Sequence, residues 1–92
     1  AVEWAYIPHF YYDFYVFQYA TSISGAAWFA EQFLAGDTEV RDAFIRVLSA
    51  GGSDYPHNIL RDEAGLDMTQ PEAYEPVLRR MNSLMDRIEA LL

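Results

Sequence analysis

FYYDFYVFQYATSISGAAWFAEQFL, running from Phe10 to Leu34, is the stretch whose reading settles the fold class. Its first half invites a strand, because Phe14 to Tyr19 is rich in aromatic and β-branched residues. Length decides otherwise: about 25 residues without a proline far exceed an ordinary strand of about 5–6. Ala26, Ala27, Ala30, Glu31, Gln32 and Leu34 are good helix formers, and Gly36 supplies a stop. Pro8 stands just ahead of the start. The expectation is one long helix over residues 10–34. Apolar side chains fall on every side of it, which predicts burial on every side. A membrane span would have a similar length, but Gln18, Thr21, Ser22, Ser24, Glu31 and Gln32 make this a poor one.

Beyond residue 36 the character changes. Residues 1–34 hold twelve of the fifteen aromatic residues and only three charges, Glu3, Asp13 and Glu31; residues 37–92 hold the other eleven acids and all six arginines. Asp37 or Thr38 can cap a helix to about Ala50, with Val40, Phe44, Val47 and Leu48 as its apolar stripe. Gly51-Gly52-Ser53-Asp54 makes a turn, and Pro56 opens a short helix closed by Gly65. Thr69 and Glu72 have the spacing of a capping box, so the last helix is expected to start there. Pro76 either kinks that helix or marks its true first turn. Val77, Met81, Leu84, Ile88 and Leu91 then recur at alternating four and three, with Leu78, Met85 and Leu92 widening the stripe. Such a helix packs one face against other helices. The fold class is all-α, with three to four helices in a single segment over 1–92; domains usually run on the order of 100–150 residues.

Fourteen acidic residues against six basic ones give a net charge of −8. That balance repels nucleic acid and anionic membranes, so neither is an expected partner. The absence of cysteine excludes disulfides and thiolate metal sites. No basic-then-apolar leader opens the sequence, and a cytoplasmic location is the expectation. The first residue is Ala1 rather than methionine, which leaves room for a larger parent chain.

Little in the sequence carries chemistry by itself. The two histidines, His9 and His57, are followed by Phe10 and Asn58, so a His-Glu-x-x-His zinc helix is absent. No nucleophile elbow or phosphate-binding glycine loop is present either. What remains is a tyrosine cluster, Tyr11, Tyr12, Tyr15 and Tyr19, with His9 just ahead. On a continuous helix Tyr12, Tyr15 and Tyr19 fall at i, i+3 and i+7 and share a face. The simpler reading is of bulky core residues whose hydroxyls reach the edge of the core. The functional reading is a wall of hydroxyl donors lining a cleft, able to stabilise a developing oxyanion.

The run Ile7-Pro8-His9-Phe10-Tyr11-Tyr12-Asp13-Phe14-Tyr15-Val16-Phe17-Gln18-Tyr19-Ala20-Thr21 resembles the oligoendopeptidase F branch of the thimet-type zinc metallopeptidases. So does a second stretch, Leu48-Ser49-Ala50-Gly51-Gly52-Ser53, then Pro56, Leu60 and Ala64-Gly65-Leu66-Asp67-Met68-Thr69 with Pro71-Glu72. The two motifs stand in the family's order and near its C-terminus, so the resemblance implies a C-terminal segment of the catalytic domain. It further implies oligopeptide substrates and a zinc ion whose ligands lie upstream, none of them in this chain. In the family the metal polarises the scissile carbonyl and activates water. The C-terminal segment closes the other wall of the substrate channel, where His and Tyr side chains bind peptide and steady the tetrahedral intermediate. By resemblance those roles fall to His9, Tyr12, Tyr15 and Tyr19. Two departures stand out: Phe17 where the family often has Tyr, and Ser22 where it usually has Gly. Without zinc ligands of its own, the chain alone is expected to be inactive. The other expectation is a non-catalytic helical domain that forms a homodimer or larger assembly through residues 10–34, since exposed apolar surface favours self-association.

Overall fold

A computed structural model describes residues 1–92, and it contains helices and turns without a strand. Four α-helices form the scaffold: α1 (Phe17–Leu34), α2 (Thr38–Ala50), α3 (Pro56–Ala64) and α4 (Glu75–Leu91). Short 3-10 turns occupy Glu3–Tyr6, Pro8–Tyr11 and Pro71–Tyr74.

The long first helix begins seven residues later than the periodicity predicts. Residues 10–16 are aromatic, β-branched or Asp, all of which lose freedom or compete with the backbone in a helix. Helix starts only where Gln18 and Ala20 enter. Ahead of it the chain turns, with the Tyr15 N–H donating to the Tyr12 carbonyl at 3.2 Å. Phe14 sits third in that turn at φ 55°, the one non-glycine residue with positive φ. A side chain there costs about 1–2 kcal/mol over the right-handed region. At its other end α1 stops as expected. Gly36, at φ 83°, lets the Asp37 N–H reach the Gln32 carbonyl (3.1 Å) and its own N–H reach Phe33 (3.0 Å).

Asp37 then caps α2 through one carboxylate oxygen, which accepts from Glu39 N–H at 3.0 Å and Val40 N–H at 3.1 Å. A cap of this kind contributes about 1 kcal/mol. The capping box expected at Thr69 and Glu72 does not form. Thr69 turns backward instead, donating its hydroxyl (2.6 Å) and N–H (2.9 Å) to the Asp67 carboxylate, as short polar side chains do when a nearby backbone competes. Helix α4 starts at Glu75, with Pro76 in its first turn, where a missing N–H is harmless.

The core is small. Phe29, Leu66, Met68 and Ala73 are buried together, with Trp28, Val40, Phe44 and Val47 packed around them. Ala43 of α2 and Ile59 of α3 are buried as well, and the Tyr74 hydroxyl pins this layer by donating to the Met68 carbonyl at 2.8 Å. Three burial expectations fail. Helix α1 buries only Ser24, Gly25 and Phe29, not all of its sides. In α2, Leu48 faces solvent and Ala43 takes the interior place. In α4 only Pro76 is buried, while Met81, Leu84, Ile88 and Leu91 are exposed.

The cause is shape. The radius of gyration is 16.1 Å, against ~12 Å for a compact chain of this length. The accessible surface is 7327 Å², about 1,800 Å² above that of a folded monomer of this mass. The apolar pattern in the sequence thus exceeds what 92 residues can bury among themselves.

One ion-pair network ties α1 to α4. Arg79 donates to both carboxylate oxygens of Glu31, at 2.6 and 3.2 Å, and to Glu75 at 3.3 Å. Hydrogen bonding from Arg79 holds the Glu31 carboxyl below the usual range against an opposing desolvation. Asp54, bonded by Asn58, and Asp67, bonded by Thr69, are lowered in the same sense. A carboxyl lowered by folding stabilises the fold above its unfolded pKa and loses that contribution as pH falls through the folded one. The melting temperature is therefore expected to fall on acidification below about pH 4. Glu31→Gln should remove part of that dependence, and thermal melts followed by circular dichroism would read both. A Glu31→Gln profile identical to the parent's would show that the pair contributes nothing.

Candidate functional site

The tyrosine cluster exists, but a helix face does not build it. Tyr12 and Tyr15 lie in the turn region before α1, and only Tyr19 is helical. Their rings meet nonetheless. Tyr12 packs edge-on to Tyr15 at 5.8 Å between centroids, and Tyr15 edge-on to Tyr19 at 6.1 Å. His9 stacks on Tyr15 at 5.4 Å and meets the edge of Tyr12 at 6.2 Å. Tyr15 is therefore the hub of a four-ring chain, and the turn at Phe14 places it there. Aromatic pairs at these separations and angles are attractive by about 0.5–1.5 kcal/mol each, which offsets the strain of that turn.

The cluster is an open surface. Tyr12 and Tyr19 are each 57% exposed and Tyr15 36%, so within these 92 residues the rings lie outside the buried core. Hydrogen bonding with Tyr15, then charge repulsion from it and some desolvation, pushes the Tyr19 phenol above its ordinary value. At neutral pH Tyr19 is thus a neutral hydroxyl able to donate. The arrangement offers phenol donors and an imidazole along one ridge, suited to carbonyl oxygens of an extended peptide. Tyr11 is separate: its hydroxyl donates to the Ala5 carbonyl at 2.9 Å and braces the N-terminal turns. Phe17 opens α1 two residues before Tyr19, about 200° around the helix from it. A hydroxyl at position 17 would therefore leave α1 on a different side from that of Tyr19.

The donor set does not fit a metal. His9 is engaged with tyrosine rings, and His57 stacks on Tyr55 at 6.0 Å. No group of three or more His, Asp or Glu side chains stands close enough to hold an ion. No helix is long and apolar enough to cross a membrane.

A second feature was legible only in part. Between α1 and α4 runs an apolar groove of about 780 Å³, lined by Ile23, Ala27 and Leu34 on one side and Val77, Met81 and Ile88 on the other. The four-three spacing of α4 marks its residues as a packing face; within these 92 residues most of that face is exposed.

Among known proteins the chain is 42% identical over 90 residues to the group B oligopeptidase PepB of Streptococcus agalactiae. It is 43% identical over 91 residues to the oligopeptidase PepF of Bacillus subtilis and 40% identical over 90 to the plasmid oligoendopeptidase F of Lactococcus lactis. These alignments take in 98–99% of the chain but only 13–15% of each relative, so the chain spans about a seventh of the length of its curated relatives. No solved structure matches it. Residues 3–80 match the description of peptidase family M3. The chain is a member of peptidase family M3, in its oligoendopeptidase F branch.

Proposed function

We propose that residues 1–92 form the C-terminal part of an oligoendopeptidase catalytic domain and supply the substrate-side wall of a channel in which short peptides are hydrolysed. The observation that carries this reading is the exposed ring chain His9–Tyr12–Tyr15–Tyr19, a row of hydroxyl and imidazole groups with no other partner in the fold. His9 and Tyr12 orient the peptide; Tyr15 and Tyr19 donate to the oxygen that becomes negative as the carbonyl turns tetrahedral. The family implies zinc in the intact enzyme. The residues present here do not fit that ion; when bound elsewhere in the intact enzyme it would supply the activated water, and the tyrosines would donate to the oxygen that this attack makes negative. The parent enzyme acts in the cytoplasm in this reading.

The test uses the Bacillus subtilis oligopeptidase with residues 1–92 grafted in place of its matching segment. His9→Ala in that chimaera should lower kcat/KM by about tenfold or more while leaving bound zinc unchanged. Undiminished turnover would remove His9 from the site.

A second reading concerns the chain by itself. Phe10, Phe14, Phe17 and Tyr19 stand exposed at the aromatic start of α1 and just ahead of it, outside the groove between α1 and α4, so the isolated 92 residues are expected to form a homodimer or larger assembly through the aromatic part of residues 10–34. Sedimentation velocity at micromolar concentration reads this directly. A clean monomer would defeat it.

A further inference from the structure

The groove between α1 and α4 shows, in its charges, what kind of partner fills it. Four of the six arginines are ion-paired within the chain: Arg41 with Asp42, Arg46 with Glu63, Arg61 with Asp62, and Arg79 with Glu31 and Glu75. Arg80 and Arg87 have no acidic partner, although the chain carries a net charge of −8. Both lie on α4, two turns apart on the same edge of its apolar seam. Arg80 lines the groove itself. The seam residues Val77, Met81, Leu84, Ile88 and Leu91 follow heptad spacing, which is the pattern that receives another helix. On the α1 side Ala26, Ala27 and Ala30 line the groove, and such small side chains let a helix axis come close.

A second copy is the wrong occupant. Laid antiparallel, seam on seam, it would bring Arg80 of one copy against Arg87 of the other, and twofold symmetry would repeat the clash. Laid parallel, it would offer Met85 to Arg80. Neither pairing answers the two free cations, and like charges in that place disfavour assembly.

The geometry points to an amphipathic helix from the remainder of the same family protein, apolar on one face and carrying carboxylates two turns apart along its edge, as the occupant of this groove, held by Arg80 and Arg87. Two observations give the source. The curated relatives contain this segment as only 13–15% of their length. The chain also exposes about 1,800 Å² more than a folded monomer should, over twice the ~800 Å² that one side of a stable interface buries. This inference rests on family membership and is independent of the role given to the tyrosines.

The chain has no cysteine, so Met81→Cys places a single thiol in the groove. Its labelling by a maleimide is followed by mass mapping of the peptide that contains position 81, normalised to the rate in denaturant. In the chimaera with the Bacillus subtilis oligopeptidase, labelling should be at least about tenfold slower than in the free 92-residue chain at high dilution, because the site opens only by local unfolding. Adding Arg80→Glu and Arg87→Glu to the chimaera should return most of the lost rate. An alanine pair at the same positions removes the charge and the aliphatic stem without adding repulsion; it should give an intermediate rate. Equal labelling of chimaera and free chain means that the groove stays open in the whole protein and overturns the proposal. Protection in the free chain that rises with its own concentration assigns the groove to a second copy and also overturns it. Protection indifferent to both the glutamate and the alanine pairs would refute the carboxylate-bearing helix.

Discussion

Tyr19→Phe in the full-length chimaera is expected to lower kcat/KM by on the order of 10²–10³, the loss seen when one oxyanion donor is removed. Several features single out this tyrosine. It is the member of the ring chain held on a regular helix, so its position is fixed by the backbone of α1. Its phenol is raised by hydrogen bonding with Tyr15, and it remains a neutral donor through the neutral range. Phenylalanine keeps the ring, and with it the 6.1 Å edge-on contact to Tyr15, so the substitution subtracts the hydroxyl alone. The loss should fall mainly on kcat with KM little changed, the signature of an interaction made only in the transition state. Bound zinc should not change. Tyr15→Phe should cost less alone, and the double substitution should cost less than the two combined, since the rings touch. A Tyr19→Phe enzyme with full kcat would reduce the ring chain to scaffolding.

How much of this was legible beforehand depends on what each residue's neighbours could override. Local signals read correctly. Asp37 as a cap, Gly36 and Gly65 as stops and Pro56 as an opener are decided within a few residues of themselves, where no distant contact competes. The start of α1 did not read correctly. Periodicity carried the helix back to Phe10, but seven consecutive poor helix formers with rings able to stack on one another favoured a turn. The i, i+3, i+7 spacing grouped three tyrosines whose rings do meet, but not on a helix face: the turn at Phe14 brings Tyr12 and Tyr15 beside Tyr19 without a shared helix. Capping at Thr69 failed because Asp67, two residues back, offers a carboxylate that wins the hydroxyl. Burial was misread for a different cause. Apolar pattern marks a residue as suited to packing without saying what it packs against, and Leu48, Met81 and Ile88 find no cover among these residues.

The same shortage of partners makes the existing core unusually sensitive. Phe29→Ala is expected to destabilise the isolated chain by about 3–5 kcal/mol, the cost of deleting a buried phenylalanine and leaving its cavity. Phe29 is only 5% exposed and is the central ring of the interior. It meets Trp28 and Phe44 at 5.0 Å and Phe33 at 6.1 Å, and it packs with Leu66, Met68 and Ala73. Those contacts join α1 to α2 and to the loop before α4, so no other side chain substitutes for it. A domain's whole margin is usually about 5–15 kcal/mol, and a chain that leaves so much surface exposed sits at the low end. Phe29→Ala should therefore leave little cooperative unfolding in urea, whereas Phe29→Leu, which keeps most of the volume, should lose under about 1.5 kcal/mol. Phe17→Ala, on an exposed ring, should stay within about 0.5 kcal/mol of the parent. A Phe29→Ala chain unfolding at the same urea concentration as its parent would mean that the four helices are not held together by this core.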